Sequence, residues 1–424
     1  MNEKFLHFLW RNRLFPKKLN SVDGQKIEVL NVGFPSVDAG PDFTGARLRI
    51  NNRFWAGAVE LHVKSSDWYR HGHSDNPVYE GVILHVVMEY DKPVYRKNGE
   101  LIPTVVIKPT DALIARYKDL ASSREKVKCS AYHEVIDSVV VAGWLDNLLF
   151  ERLIARRLEI IDQLHNNNED WEETFYQRIA RSLGMRANDQ PFEMLARSLP
   201  YKILKRYKDD RQILEALLYG QAGFLDDDIE DEFFLKLKRD YRHYATKHKL
   251  KPLDKTIWKF MRLRPYNYPT IRISHLAYII AQTDNLFSYI IEVEDINKIK
   301  QLFMAKTTDY WNTHFRFGDE GKFIRKDLGP KAIDNILINA VIPVLFSYAL
   351  YMHDDELKDK SFGFMKLIDF EDNYITRLFA KLDIKQHSAA DSQALIQLYK
   401  NYCLENKCLE CRLGAYIIQK GGKQ

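Results

Sequence analysis

At 424 residues the chain is long enough for two domains of ordinary size. Its 46% hydrophobic and 12% aromatic content supplies a large buried core and excludes a disordered chain. A formal net charge of +5 permits a nucleic-acid partner, DNA first among them, without demanding one.

In chain order, Glu3–Arg13 reads as an amphipathic helix with Phe5, Phe8, Leu9 and Trp10 on its apolar side, ended by Pro16. The first 18 residues have no apolar core and no small-residue cleavage site, so no secretory signal is expected. Residues 25–31 form a short strand. The stretch from Asp38 to His73 then gathers four acids (Asp38, Asp42, Glu60, Asp67) and three histidines (His62, His71, His73). Within it, Phe43–Ile50 and Trp55–Val63 alternate as strands around an Asn51-Asn52-Arg53 turn. Residues two apart share a face, so Glu60, His62 and Lys64 point one way while Val59, Leu61 and Val63 enter a core. Asp42 opens the first strand, and folding the hairpin back brings it level with Glu60.

Two carboxylates converging beside a strand form an oxygen site suited to Mg²⁺ or Mn²⁺. A histidine or lysine at the next same-face position can help to activate water. Asp42, Glu60, His62, Lys64, His71 and His73 are therefore the candidate catalytic residues, with Asp42 and Glu60 as metal ligands. The alternatives are that Asp42 caps a turn and Glu60 makes an ion pair, or that the histidines form a separate transition-metal site.

Val82–Glu89 is a nearly continuous apolar run and reads as a buried strand. His85 inside it reads as a satisfied core residue rather than a ligand. Short strands follow at 94–96 and 101–107 around Asn98-Gly99. From Asp111 the periodicity is helical, with helices expected at 138–165, 172–183, 191–199, 209–219, 233–247, 271–281, 295–306, 333–352 and 388–402. The apolar run Ile336–Met352 is broken by Asn339, Pro343 and Ser347 and is shorter than the roughly 20 residues a membrane helix needs. It reads as a buried helix, with no membrane partner.

Residues 235–272 hold twelve Lys or Arg and only two acids. Aromatics are interleaved among them, as in surfaces that neutralise phosphates and stack bases. Lys247, Lys249, Lys251, Lys259, Arg262, Arg264 and Arg272 are the candidate nucleic-acid contacts. The competing reading places the cations on a solvated helix face and the aromatics inside.

Of the four cysteines, Cys403, Cys408 and Cys411 have the spacing C-x4-C-x2-C, and Cys129 can supply a fourth ligand. That set suits an iron–sulfur cluster or a tetrahedral Zn²⁺. In the cytoplasm, where the chain is expected, thiols stay reduced and a metal is favoured over disulfides.

Pro41-Asp42 followed by Glu60-Leu61-His62 resembles the PD-(D/E)XK nuclease superfamily, with His62 where that pattern has Lys. The resemblance implies Mg²⁺ on Asp42 and Glu60 and hydrolysis of a phosphodiester. DAGPDF, WAGAVELHVKSSDWYRHGH, VILHVV, ALLYGQAGFL, RPYNYPTIRISHLA and YCLENKCLEC resemble a bacterial family catalogued as domain of unknown function 2851, which brings no activity with it. The expected fold is α+β: a restriction-endonuclease-like α/β domain over residues 1–110, then an all-helical domain over 111–424 ending in the cysteine motif. The expected function is metal-dependent hydrolysis of nucleic acid. The alternatives are a non-catalytic nucleic-acid-binding or scaffold protein on a decayed nuclease fold, or a histidine-based Zn²⁺ or Fe²⁺ hydrolase of another substrate class.

Overall fold

The computed structural model describes residues 2–36 and 39–420. Asp38, the first acid of the predicted site stretch, lies outside them. The described residues form two compact units, one of residues 1–144, 381–384 and 398–424, the other of 145–380 and 385–397.

The first unit is built on a mixed, nearly closed sheet. Its elements begin with helix α1 (Glu3–Arg11) and strands β1 (Lys18–Asn20), β2 (Lys26–Asn31), β3 (Phe34–Pro35), β4 (Phe43–Ile50) and β5 (Arg53–Lys64). The one-turn helix α2 (Asp67–Arg70), strands β6 (Val82–Glu89) and β7 (Thr104–Val106), and helix α3 (Asp111–Ser122) follow. The sheet order is β1-β2-β4-β5-β6-β7, with β3 paired to β4. Strands β1, β2, β4 and β5 run antiparallel, whereas β5, β6 and β7 are parallel. An antiparallel bridge from Ser21 to Val105 carries the end of β1 back to β7, and the Val22 N–H donates to the Thr104 carbonyl at 2.8 Å.

Alternation places Val59 and Leu61 of β5 in the main core, beside Phe43, Ala46 and Leu48 of β4 and the apolar face of α1. Burying the side chains of such a core contributes about 1.5–3 kcal/mol for each large apolar residue. The same core takes in Leu120 of α3 and Ile418 of the C-terminal helix Arg412–Lys420. This is why the unit is larger than the expected 1–110: helices on both sides of the second unit in sequence complete the cover of one sheet. The C-terminal helix is also tied by hydrogen bonds, since Arg11 donates to the Leu409 carbonyl and Arg116 to that of Ile418, both at 2.8 Å.

The second unit is predominantly helical. Its most apolar helical stretch, Pro330–Met352, is long enough to cross a membrane, but 72% of its apolar window is buried inside the protein. Residues 337–341 widen into a π-turn. The half-buried Arg156 donates to the Ile338 carbonyl there at 2.9 Å and to Asn339 Oδ1 at 2.7 Å. The expected helices at 172–183, 233–247 and 271–281 are found at Trp171–Leu183, Glu232–His248 and Pro269–Ile280.

Candidate metal centre

The second face of β5 builds the site. Glu60 and His62 lie two apart on it, 4% and 1% exposed. Parallel pairing sets His85 of β6 beside Glu60 in register. After β5 the chain turns through α2. Asp67 holds this turn, accepting the Lys64 N–H at 3.1 Å and pairing with Arg70 at 3.0 Å. Gly72 then adopts φ +72°, a left-handed conformation that costs an L side chain about 1 kcal/mol or more. That reversal returns His73 to the site and leaves His71 on its solvent rim. His73 is stacked on Tyr79, with centroids 3.8 Å apart, and Trp68 packs edge-on to both His73 and His85.

One nitrogen each from His62, His71 and His73 lie within 4.8 Å of one another. His62 Nε2 is 3.1 Å from His71 Nδ1 and 3.6 Å from Glu60 Oε1, and His73 Nε2 is 3.1 Å from Glu60 Oε1. A tetrahedral ion with bonds of about 2.0–2.1 Å spaces its ligands about 3.3 Å apart, so these separations match a coordination sphere. His73 Nε2 is buried and makes no hydrogen bond. His62 Nδ1 meets His85 Nε2 at 2.9 Å. With the proton on His62 Nδ1, that contact fixes the ring and directs its Nε2 lone pair into the site, as outer partners of metal-bound histidines do.

Burial holds the imidazoles of His62, His73 and His85 in their neutral, metal-binding form. His62 is pushed down to about 2 by burial and then by His85, and His85 to about 3 by burial and then by His73. His73 is lowered for the same first reason. Burial and then the Asp42 charge push Glu60 up to about 8.

Asp42 and Glu60 do meet, as the hairpin predicts. The Asp42 N–H donates to Glu60 Oε2 and the Leu61 N–H donates to Asp42 Oδ2, both at 2.9 Å. Asp42 Oδ2 also faces His7 of α1 at 3.3 Å, and Glu3, His7 and Asp42 form a second group of gathered ligand atoms. Lys64 stays on the Glu60 face but is exposed and pairs with Glu89 at 3.3 Å, outside the cluster. Sequence reasoning missed Glu3 and His7, although their i,i+4 spacing on a predicted helix was visible. It also read His85 as core only. His85 is a fully buried core residue and the hydrogen-bond partner of His62 at once.

The four cysteines are brought to one small cavity in the same unit. The basic stretch is divided. Lys247, Lys249, Lys251, Lys259, Arg262 and Arg264 are exposed. Arg272 is only 6% exposed and donates to Asn267 Oδ1 at 2.7 Å, so it braces a loop rather than meeting a phosphate. Trp258 and Tyr241 are buried, and Lys238 and Lys255 pair with Asp228 and Asp227 of the acidic run. Tyr244, Phe260 and Tyr268 are half-buried, and Tyr266 is exposed.

The fold and site describe a mixed-sheet protein with a histidine- and carboxylate-lined centre. The chain belongs to the family described as "Protein of unknown function (DUF2851)", whose model matches residues 3–374. Cys403, Cys408 and Cys411 lie beyond that match. No curated protein and no solved structure matches the chain.

Proposed function

We propose that this protein is a transition-metal-dependent hydrolase in which His62, His71 and His73 hold the ion and Glu60 takes the proton of the attacking water. The observation that carries this reading is the convergence of three imidazole nitrogens, one of them the buried His73 Nε2, which makes no hydrogen bond and faces Glu60 Oε1 at 3.1 Å. Three nitrogen donors with one on an exposed rim are the donor set of a catalytic rather than a structural Zn²⁺ site, and imidazole also suits Fe²⁺. The ion would make hydroxide available near neutral pH. Metal analysis of the full chain, with hydrolysis of activated ester and phosphodiester probes, tests it. The expected result is about one transition-metal ion per chain beyond any held by cysteines, lost with activity in His62→Ala and His71→Ala. Retention of metal and activity in both variants overturns it.

A second reading keeps a restriction-endonuclease-like core and phosphodiester hydrolysis of nucleic acid. Asp42 and Glu60 would hold Mg²⁺ or Mn²⁺, with the Leu61 carbonyl as third ligand. Its support is the bonding of Glu60 to the Asp42 N–H and of Asp42 to the Leu61 N–H, which holds the two carboxylates side by side. It predicts Mg²⁺-dependent cleavage of DNA that is abolished in Asp42→Ala and indifferent to His71→Ala. Salt-sensitive DNA binding without turnover in any divalent metal would instead leave a binding protein on a decayed nuclease fold, with Lys247 to Arg264 as the phosphate contacts.

A further inference from the structure

The cysteine cavity is independent of the histidine centre and is assembled from three places in the sequence. Cys129 lies in the 3-10 stretch Lys128–Val135. Cys403 closes a π-turn over residues 399–403. Cys408 and Cys411 follow a turn in which Asn406 takes φ +55°, just before the C-terminal helix. Together with Leu398 and Tyr402 they line the cavity, and none of the four is in a disulfide.

The surroundings are those of a bound group. Backbone N–H groups of Leu413 and Gly414, in the first turn of the C-terminal helix, are directed at the Cys411 sulfur. A helix N-terminus and its free N–H groups favour an anion. Lys128 adds a positive charge near Cys408. A Cβ on Gly414 would lie 2.1 Å from the Cys408 carbonyl oxygen, so the cysteine loop is pressed onto the helix start. The four thiols, Cys411 buried and the other three half-buried, are held in the protonated form, with Cys129 pushed up to about 12 and Cys411 to about 11, burial being the first cause of each.

Spacing chooses between metals. A zinc ion bound by four thiolates at about 2.3 Å holds its sulfurs about 3.8 Å apart. Among the described residues, the groups of three or more ligand atoms within 4.8 Å of one another are the two at the histidine centre. No three of the four sulfurs are that close to one another. A cubane cluster binds each thiolate to a different iron and needs the wider spacing, and N–H groups aimed at its sulfurs tune it.

We propose that Cys129, Cys403, Cys408 and Cys411 hold a [4Fe–4S] cluster, which fastens the returning C-terminal segment to the sheet unit. The test is iron, zinc and acid-labile sulfide analysis of the full chain purified without oxygen, with the visible spectrum. It is repeated after reconstitution with ferrous iron and sulfide, and in a His71→Ala background so that iron at the histidines is not counted. About four irons and about four sulfides per chain are expected. A Cys408→Ser/Cys411→Ser variant should keep less than about a tenth of the sulfide. Should that variant fail to fold, the wild-type iron-to-sulfide ratio and electron paramagnetic resonance of the reduced protein still decide the matter. One zinc per chain with no sulfide overturns the proposal, as do about two irons per chain, or a wild-type chain that takes up no sulfide on reconstitution.

Discussion

At the histidine centre the donor atoms already touch. His62 is hydrogen-bonded to His71 and His85, and His73 Nε2 stands 3.1 Å from Glu60 Oε1, about one ligand-to-ligand distance. At the cysteine cavity no three of the sulfurs come within 4.8 Å of one another. A single ion can join the first set without moving the backbone, because hydrogen bonds hold the ligands at nearly the spacing coordination needs. The second set has no comparable network to hold it, so its order rests on backbone geometry and on whatever fills the space. The histidine centre is therefore preorganised and the cysteine site depends more on its occupant.

The largest expected effect breaks the cysteine side of that contrast through the backbone alone. Gly414→Ala places a methyl group where the Cys408 carbonyl oxygen lies, 2.1 Å away. The loop must lift from the helix, at a cost of about 3 kcal/mol. Denaturant unfolding should show this loss, and metal uptake at the cysteines should fall with it, while metal at the histidines is unchanged. Next comes His71→Ala. His71 is exposed and removes only a rim ligand, so thermal stability of the metal-free protein should move little. Affinity for the transition metal should drop by at least about 100-fold. If stability falls and affinity does not, the histidines are a structural network and no metal site.

A smaller effect sharpens the point about preorganisation. Asp67→Asn keeps the shape but removes the charge that holds Arg70 and weakens the bond to the Lys64 N–H. About 1–2 kcal/mol of stability should be lost. Metal affinity at the histidines should fall several-fold although Asp67 touches none of them. Calorimetry of metal binding to the variant checks it.

Much of the site was legible, and the reason is local. The period-two alternation of β4 and β5 fixed which side chains share a face. The Gly40-Pro41 break fixed where Asp42 begins the first strand, so the meeting of Asp42 with Glu60 could be derived. Val82–Glu89 was recognisable from its apolar run, with its bounds. What could not be read was pairing at a distance. The parallel register of β5 with β6 sets His85 beside Glu60 and within hydrogen-bond reach of the His62 ring, and no periodicity in either strand carries that information. For the same reason the return of the C-terminal segment to the first unit was hidden, although the cysteine spacing had already offered Cys129 as the fourth member of one set. In the basic stretch, composition revealed the charge but not its partners. Asp227 and Asp228 neutralise Lys255 and Lys238, and burial withdraws Arg272.

Gly72→Ala gives the smallest change in stability and the cleanest separation of the two sites. The residue has φ +72° and open space around the added Cβ, so no clash accompanies the substitution. The cost is that of holding alanine in the left-handed region, about 1 kcal/mol, part of it offset by the lower entropy of the unfolded chain. The strain falls on the one turn that sets His71 and His73 at their angle to each other. Any relaxation of that turn separates their ring nitrogens. Metal affinity at the histidines should therefore decline by up to about tenfold, with iron and sulfide at the cysteines untouched. A variant that loses its stability but keeps full metal affinity would mean that the ion, rather than the turn, brings His71 and His73 together. The histidine centre would then be as dependent on its occupant as the cysteine cavity is.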